Sequence, residues 1–260
     1  MLSSLFRRRA IGVLAGLCLI SVARAQDRAG CHATVLGTFE TGAVLDARAF
    51  RLRDGREVLL AGIEVPSGSP AARALLEKLL AGGKVVLKQT EPGSDRYGRL
   101  AAQAFVPGDG AEHWIQEDLL AAGQAQVGSR PGACAKALLT AEAAARRDRR
   151  GLWVDSAYNV KASDDLAGLL ARRGRFTVAE GKVLSVRESG GTIYINFGRV
   201  WSRNLTVTIL RRNRPAFEAA GLEPKKLEGA RVRVRGWVEE RSGPRIDAAR
   251  PEQIEIATGG

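Results

Sequence analysis

The apolar positions of the first 155 residues predict a mixed α and β unit in the order βββαββαα. Segments rich in Val, Thr and Phe, bounded by Gly and Pro, favour strands, and Asp54-Gly55 is typical of a hairpin turn. Ser69 and Pro70 suit the N-cap and first position of a helix, which Gly82-Gly83 ends. The predicted strands lie in 32–53 (one or two), 57–65, 84–90 and 99–106, and the predicted helices at 70–81, 114–122 and 133–150.

Residues 156–172 predict a linker with a helical patch at 165–172, and a second unit of short strands follows. The core of its fourth strand, residues 231–235, alternates Arg and Val, so one face is apolar and the other basic. The strands are expected at 176–186, 192–197, 205–210, 230–239 and 244–248, with a further segment at 253–257 and a helix at 215–220. Five strands with a helix between the third and fourth is the order of an OB barrel.

The first 25 residues predict an export signal. Arg7, Arg8 and Arg9 precede an apolar run at 10–22, and Ala23-Arg24-Ala25 places small residues at the positions that a signal peptidase recognises. We therefore expect cleavage after Ala25 and a periplasmic or secreted protein, the alternative being a short membrane anchor. No apolar run of spanning length follows, so no membrane span is expected in the mature chain.

The net charge of the chain is +12, from 40 Lys+Arg and 28 Asp+Glu, and most of it lies near the C-terminus. Residues 26–155 hold 17 basic and 16 acidic side chains, a net of +1, whereas residues 156–260 hold 19 and 12, a net of +7. Such a region attracts phosphate polymers or anionic surfaces in a salt-dependent way. The alternative is a basic surface without a specific ligand.

Cysteine and histidine are too few for some site classes. With 3 Cys and 2 His, the chain holds neither a Cys/His zinc cluster nor an iron–sulfur scaffold. Cys31 and Cys134 remain after cleavage, and in an exported protein they favour a disulfide that links the first strand to the last helix. The alternative is two separate buried thiols.

Three blocks of the first unit resemble the staphylococcal-nuclease-like (thermonuclease) domain. They are DARAFRLRDGREVLLAGIEVPS at 46–67, DRYGR at 95–99, and residues 119–127 followed by an Ala-rich helix and Gly151-Leu152-Trp153. The resemblance implies a barrel of five strands with three helices and a calcium-assisted phosphodiesterase. The predicted domains are a signal peptide at 1–25, this nuclease-like domain at 26–155, the linker at 156–172 and a basic OB-like domain at 173–260.

The resemblance also assigns five catalytic roles, most of which this sequence changes. Arg48 stands where the family has a calcium-binding Asp, and Glu64 stands at the second calcium ligand. Leu59 replaces the first catalytic arginine and Ser67 replaces the general base, whereas Arg99 matches the second arginine. We therefore expect metal-assisted hydrolysis to be nearly abolished and no cofactor to be bound, with Ca²⁺ as the alternative.

The residues that remain suggest candidate roles. Arg99 is the candidate catalytic residue, Glu64 the candidate metal ligand, and Arg48 with Arg99 a candidate anion-binding pair. One alternative is a rebuilt site in which Glu57 or Glu91 acts as the base, or in which Arg48 replaces the metal. Another is a structural ion pair between Glu64 and Arg99, with Arg48 turned outward.

The second unit resembles the OB-like module found behind such nuclease domains in exported bacterial proteins, through residues 180–183, 194–198 and 233–237. Aromatic rings beside guanidinium groups bind single strands by stacking and charge. The candidate nucleic-acid-binding residues are Tyr194, Phe197, Arg199, Trp201, Arg203, Arg211 and Arg212. The alternative is that Tyr194 and Trp237 belong to the barrel core and the arginines are solvated.

The sequence thus favours an exported, catalytically degraded nuclease that binds nucleic acid or another anionic polymer without cutting it. One alternative is an active phosphodiesterase with a rebuilt site. The other is an envelope scaffold or protein-interaction module.

Overall fold

The computed structural model describes residues 31, 33–91, 93–95, 97–108 and 112–257. The predicted signal peptide at 1–25 lies outside these residues, as does Arg96 of the second nuclease-like block. Within them, no helix is long and apolar enough to cross a membrane.

The first unit is a closed barrel with helices packed against it. Its strands are β1 (Thr34–Asp46), β2 (Ala49–Leu52), β3 (Glu57–Leu60), β4 (Ile63–Glu64), β5 (Lys84–Gln89), β6 (Leu100–Val106), β7 (His113–Trp114) and β8 (Gln126–Val127). Antiparallel ladders join β3 to β2, β2 to β1, β1 to β5 and β5 to β6. A parallel ladder between β3 and β6 closes the circuit of five strands.

The strand predicted over 57–65 is divided, which decides where Glu64 lies. Gly62 has a φ of 82°, a conformation that favours glycine, and a Cβ there would meet the Cα of Pro131 at 3.1 Å. The chain leaves the barrel at this bend, and β4 pairs with β8 instead. The prediction of one continuous strand is therefore wrong, and Glu64 is placed beside the barrel.

Three helices accompany this barrel, as predicted. They are α1 (Pro70–Leu80), α2 (Ile115–Ala121) and α3 (Ala135–Arg147). The Oγ atom of Ser69 accepts the backbone amide of Ala72, so the predicted cap is confirmed. Helix α3 is shorter than the predicted 133–150, because a 3-10 turn at Gly132–Cys134 precedes it and Arg149 has a φ of 52° after it.

A disulfide joins Cys31 to Cys134, as the sequence predicts. Cys134 is fully buried and lies directly before α3, whereas Cys31 lies ahead of β1. The bond closes a loop across a sequence separation of 103 residues. The disulfide therefore fastens the start of the barrel to α3, the helix that contacts the second unit.

The second unit begins within the predicted linker and is rich in sheet. Its elements are β9 (Lys161–Ala162), α4 (Leu166–Leu170), β10 (Phe176–Lys182), β11 (Ser185–Ser189), β12 (Thr192–Asn196), β13 (Thr206–Leu210), α5 (Arg214–Ala219), β14 (Arg231–Glu240), β15 (Pro244–Asp247) and β16 (Ile254–Ile256). Helix α4 confirms the helical patch of the linker, with Asp165 as its cap. The domain boundaries themselves stay predictions.

The strand pairings of the second unit follow the same circuit as those of the first. Antiparallel ladders join β11 to β12, β12 to β13, β15 to β14 and β14 to β10, and a parallel ladder joins β13 to β15. β10 and β11 are successive halves of one strand position, which the long β1 fills alone in the first barrel. Each unit also has a helix between its third and fourth strand positions, the order predicted for an OB barrel.

The two units meet at α3, where ion pairs are buried between them. Glu142 of α3 is 1% exposed, and its two carboxylate oxygens accept hydrogen bonds of 3.0 and 2.9 Å from Arg235 of β14. Arg235 is fully buried and also pairs with Glu255 at 2.5 Å. Ala145 and Trp153 of the first unit pack against Val178 of the second. The basic face predicted for the fourth strand is therefore present, and its most buried arginine joins the two units.

Candidate functional site

The residues that the nuclease resemblance singles out lie on the turns and short strands at one edge of the first barrel. Arg48 lies in the turn between β1 and β2, where its backbone amide donates to the carboxylate of Asp46 at 2.8 Å. Its carbonyl oxygen accepts the amide of Leu60 at 2.9 Å. Because its backbone amide and carbonyl are both hydrogen-bonded, the Cα atom from which the Arg48 side chain extends is held in one position.

Arg48 and Glu64 form an ion pair at the position that the resemblance assigns to a cation. The Nη1 atom of Arg48 lies 2.5 Å from the Oε2 atom of Glu64 and donates a second hydrogen bond of 3.2 Å to the carbonyl of Ile63. Burial raises the pKa of Glu64 above its usual value, although the charge and hydrogen bond of Arg48 act in the opposite direction. The guanidinium thus neutralises the candidate metal ligand.

The two other replaced positions provide neither charge nor a base. Leu59 is half-buried in β3 and lies between Ala49 and Ala101 in the sheet. Ser67 is exposed directly after Pro66. An alkyl side chain cannot stabilise a developing negative charge, and a serine hydroxyl is a far weaker base than a carboxylate.

Arg99 is held by a different acid. Its Nε and Nη2 atoms lie 2.8 and 2.7 Å from the Oδ2 atom of Asp95, and its backbone amide donates to Oδ1. Burial alone would raise the pKa of Asp95, but hydrogen bonds from Arg99 and from the amide of Tyr97 lower it overall. The alternative in which Glu64 pairs with Arg99 is therefore wrong, because each of the two has another partner.

These pairings limit what the edge of the barrel can do chemically. An anion that bound both Arg48 and Arg99 would compete with the carboxylate that already neutralises each of them. Glu57 and Glu91, the candidate replacement bases, pair with Arg51 and Arg250 at 2.8 and 2.7 Å. No group of three or more His, Cys, Asp or Glu suited to a metal occurs among the residues that the structure describes.

The candidate nucleic-acid-binding residues do not form one surface. Phe197 is only 8% exposed and lies in the core of the second unit, which corrects its assignment to a stacking surface. Ile193 and Ile195 occupy the same core, so alternation along β12 continues to Phe197 and could have predicted its burial. Tyr194, with the opposite orientation, is half-buried on the other face of the strand.

The exposed candidates lie at opposite ends of β13. Arg199, Trp201 and Arg203 lie on the loop before this strand, and Trp201 is 58% exposed. Arg211 and Arg212 follow the strand, and Arg211 lies 3.7 Å from Glu188. Five residues of strand separate the two groups by roughly 17 Å.

The structure also corrects the placement of Trp237. This indole is 50% exposed and does not belong to the barrel core, so the alternative that places Trp237 in the core is wrong. Val232, Val234 and Val238 are buried, so Trp237 shares the other face of β14 with the arginines. The same alternation that predicts the basic face could have placed Trp237 on it.

Comparison with known proteins agrees with this architecture. The family model described as Staphylococcal nuclease homologue matches residues 57–155, from β3 to the end of the first unit. No curated protein matches the chain. Since β3, β5, β6 and all three helices of the first unit fall within the match, the chain contains a staphylococcal nuclease homologue domain at residues 57–155.

Proposed function

We propose that this protein is an exported nucleic-acid-binding protein whose nuclease domain no longer cuts. The observation that carries the proposal is the 2.5 Å ion pair between Arg48 and Glu64. It places a permanent cation of the chain against the carboxylate that would otherwise help to hold calcium. A divalent ion at this carboxylate would have to displace the guanidinium and would be repelled by its charge.

The other two replacements act in the same direction. Removal of a general base lowers a rate by about 10²- to 10⁴-fold, and removal of one charge-stabilising donor by about 10²- to 10³-fold. Ser67 and Leu59 stand at those two positions. These effects are not additive, yet each alone is large enough to remove most of a nuclease activity.

The loop before β13 supports the binding function. Arg199 and Arg203 are exposed on this loop and form no ion pair with other residues in the described part of the chain, and the exposed Trp201 lies between them in sequence. Gly243 lies so close that a Cβ there would meet the carbonyl of Trp201 at 2.5 Å, so the β14–β15 hairpin packs against the loop. An aromatic ring flanked by unpaired guanidinium groups suits stacking on a base and contact with phosphates.

Export is supported by the sequence of residues 1–25 and by the disulfide. The charged segment, apolar run and small residues before position 26 have the order of a signal peptide. Disulfides persist in oxidising compartments such as the periplasm and the extracellular space. The bond between Cys31 and Cys134 agrees with that location.

The proposal is tested with fluorescently labelled single-stranded DNA and the mature protein, in calcium or in a chelator. We expect anisotropy to report binding that weakens with salt in both conditions, while the DNA stays intact. Trp201→Ala and Arg203→Ala should weaken binding, whereas Arg73→Ala, which removes an exposed arginine of the first unit, should not. Calcium-dependent cleavage that Arg99→Ala abolishes would overturn the loss of activity, and no binding at low salt would overturn the binding function.

A further inference from the structure

A cleft of about 360 Å³ lies between the two units, beside the loop that holds Glu64. Residues 64–67 and Gln126 line one side of it. Tyr158, Trp237 and part of the segment 172–176 line the other. Clefts of about 300 Å³ or more between domains are a common setting for small-ligand sites.

Arg172 brings a buried charge to this cleft without an acid to balance it. The residue is 8% exposed, and its Nε and Nη2 atoms donate to the Thr177 hydroxyl at 3.3 Å and to the Phe176 carbonyl at 3.0 Å. The Nη1 atom makes no hydrogen bond to any described residue, and no described carboxylate lies within ion-pair distance. Its Cζ atom lies 5.2 Å from the centroid of the Tyr158 ring, and burial lowers the pKa of Arg172.

Arg175 adds a second cation to the same cleft. It is exposed and has no ion pair with the residues that the structure describes, and its charge further lowers the pKa of Arg172. Glu64 is the acid of the lining, but Arg48 already neutralises it at 2.5 Å. Asp155 influences Arg172 only from beyond ion-pair distance. The cleft is therefore positively charged, and an anion would offset the cost of burying Arg172.

Trp237 gives the cleft a flat apolar wall. Half of this residue is exposed, and the ring of Phe176 meets the indole edge-on, with centroids 6.1 Å apart. That contact helps to hold the half-exposed indole in place. Val65 and Pro66 provide apolar surface on the opposite side of the cleft. A planar ring stacked on an indole is a frequent mode of base recognition.

We propose that this cleft is a binding site for a single nucleotide unit, with the phosphate on Arg172 and Arg175 and the base on Trp237. Any anion with an aromatic ring would suit these residues, and the choice of a nucleotide among such anions rests on the proposed function. The unit is either a free mononucleotide or one residue of a single strand. The second unit thus contributes the arginines and the aromatic ring to a site that borders the degraded nuclease loop.

The probe is adenosine 5′-monophosphate, titrated into the mature protein by calorimetry, with adenosine and inorganic phosphate as fragments. We expect the mononucleotide to bind more tightly than either fragment. Arg175→Ala should weaken it about tenfold or more, and Trp237→Ala about five- to 150-fold. Both side chains are exposed, so these variants should fold even where Arg172→Gln does not.

Two matched variants serve as controls. Arg173→Ala removes an exposed arginine two positions from Arg175 that pairs with Glu240 and does not line the cleft. Leu184→Ala removes an apolar side chain between β10 and β11 that is 50% exposed, like Trp237, and does not line the cleft. Neither should change the affinity for the mononucleotide.

The outcomes separate the two sources of the nucleotide and the two proposals. If the cleft variants weaken the binding of both the mononucleotide and labelled single-stranded DNA, the cleft binds one residue of a strand. If they weaken only the binding of the mononucleotide, the cleft binds the free mononucleotide. Absence of mononucleotide binding, or equal loss with the control variants, overturns the inference. DNA binding that persists in that case leaves the proposed function intact, whereas mononucleotide binding without any DNA binding overturns the proposed function and not the cleft.

Discussion

The buried ion pair between the two units gives a sharp test of how they are joined. We expect Glu142→Gln to lower the stability of the whole chain, because Arg235 then loses its bidentate partner while staying buried. The amide oxygen of the glutamine can still accept a hydrogen bond from the Val127 amide, which lies 2.8 Å from Oε1. The substitution also removes the ion pair of Arg146, whose Nη1 atom lies 3.3 Å from Oε2, so it tests the charge that Glu142 supplies to both arginines.

The size of the effect follows from the partners that remain. Breaking a buried ion pair by removing one member costs about 3–5 kcal/mol. Arg235 keeps Glu255 at 2.5 Å, but that carboxylate is 24% exposed and is partly screened by solvent. We expect a loss near the lower limit, about 3 kcal/mol, which lowers the Tm of a chain of this length by roughly 6–12 °C.

Urea and thermal unfolding, followed by circular dichroism, measure this loss. The control is Glu77→Gln, which removes an exposed acid that pairs with Arg73 on α1 and should cost less than about 0.5 kcal/mol. Replacing both members, with Glu142→Leu and Arg235→Met, should recover part of the stability, because the fully buried Arg235 charge is then absent. The recovery stays incomplete because the Val127 amide, Arg146 and Glu255 lose their partners. A Glu142→Gln protein as stable as the control would refute the view that this pair fastens the units.

Four further predictions concern the altered site, the disulfide and the barrel core. Arg48→Asp should create calcium binding that titration calorimetry detects and the parent protein lacks, and an unchanged titration would contradict the account of the ion pair. Arg48→Met should raise the pKa of Glu64 further, and an NMR titration of the carboxyl measures the change. Because burial already raises this pKa, the protonated carboxyl stabilises the folded chain below its unfolded pKa of about 4.3, and this stabilisation is lost as the pH rises through the folded pKa. Cys31→Ser with Cys134→Ser should lower the free energy of unfolding by about 4–5 kcal/mol. In oxidising buffer this double variant should have a lower Tm than the parent protein, and a reductant should abolish the difference between them. Phe197→Ala should lower stability by about 3–5 kcal/mol, and a protein that keeps its stability but loses DNA affinity would instead return Phe197 to the binding surface.

Local sequence patterns predict most of the fold of this chain. Alternation and turn residues predict the barrel strands, Ser69 predicts the start of α1, and the two cysteines predict the disulfide. The bend at Gly62 is not visible in the same way, because its cause is the close approach of Pro131, which is distant in sequence. The local sequence therefore predicts one continuous strand over 57–65.

The candidate site depends more on contacts between distant residues. The replacements at Arg48 and Ser67 are evident from the sequence, but the partner of Arg48 is set by how β4 turns away from the barrel. Arg235 belongs to a basic strand face that the sequence predicts, yet its partner Glu142 lies 93 residues earlier, on a helix of the other unit. Periodicity identifies the face of an element but not the element that covers it.

The pairing of Arg48 with Glu64 has a consequence for how the chain responds to its surroundings. A calcium ion can be chelated, diluted or exchanged, whereas a guanidinium is part of the polypeptide and keeps its charge at any physiological pH. The loop around Glu64 should therefore keep one shape in mineral-rich and mineral-poor media alike. Where a metal-dependent homologue would switch with the supply of its ion, this barrel edge is permanently occupied.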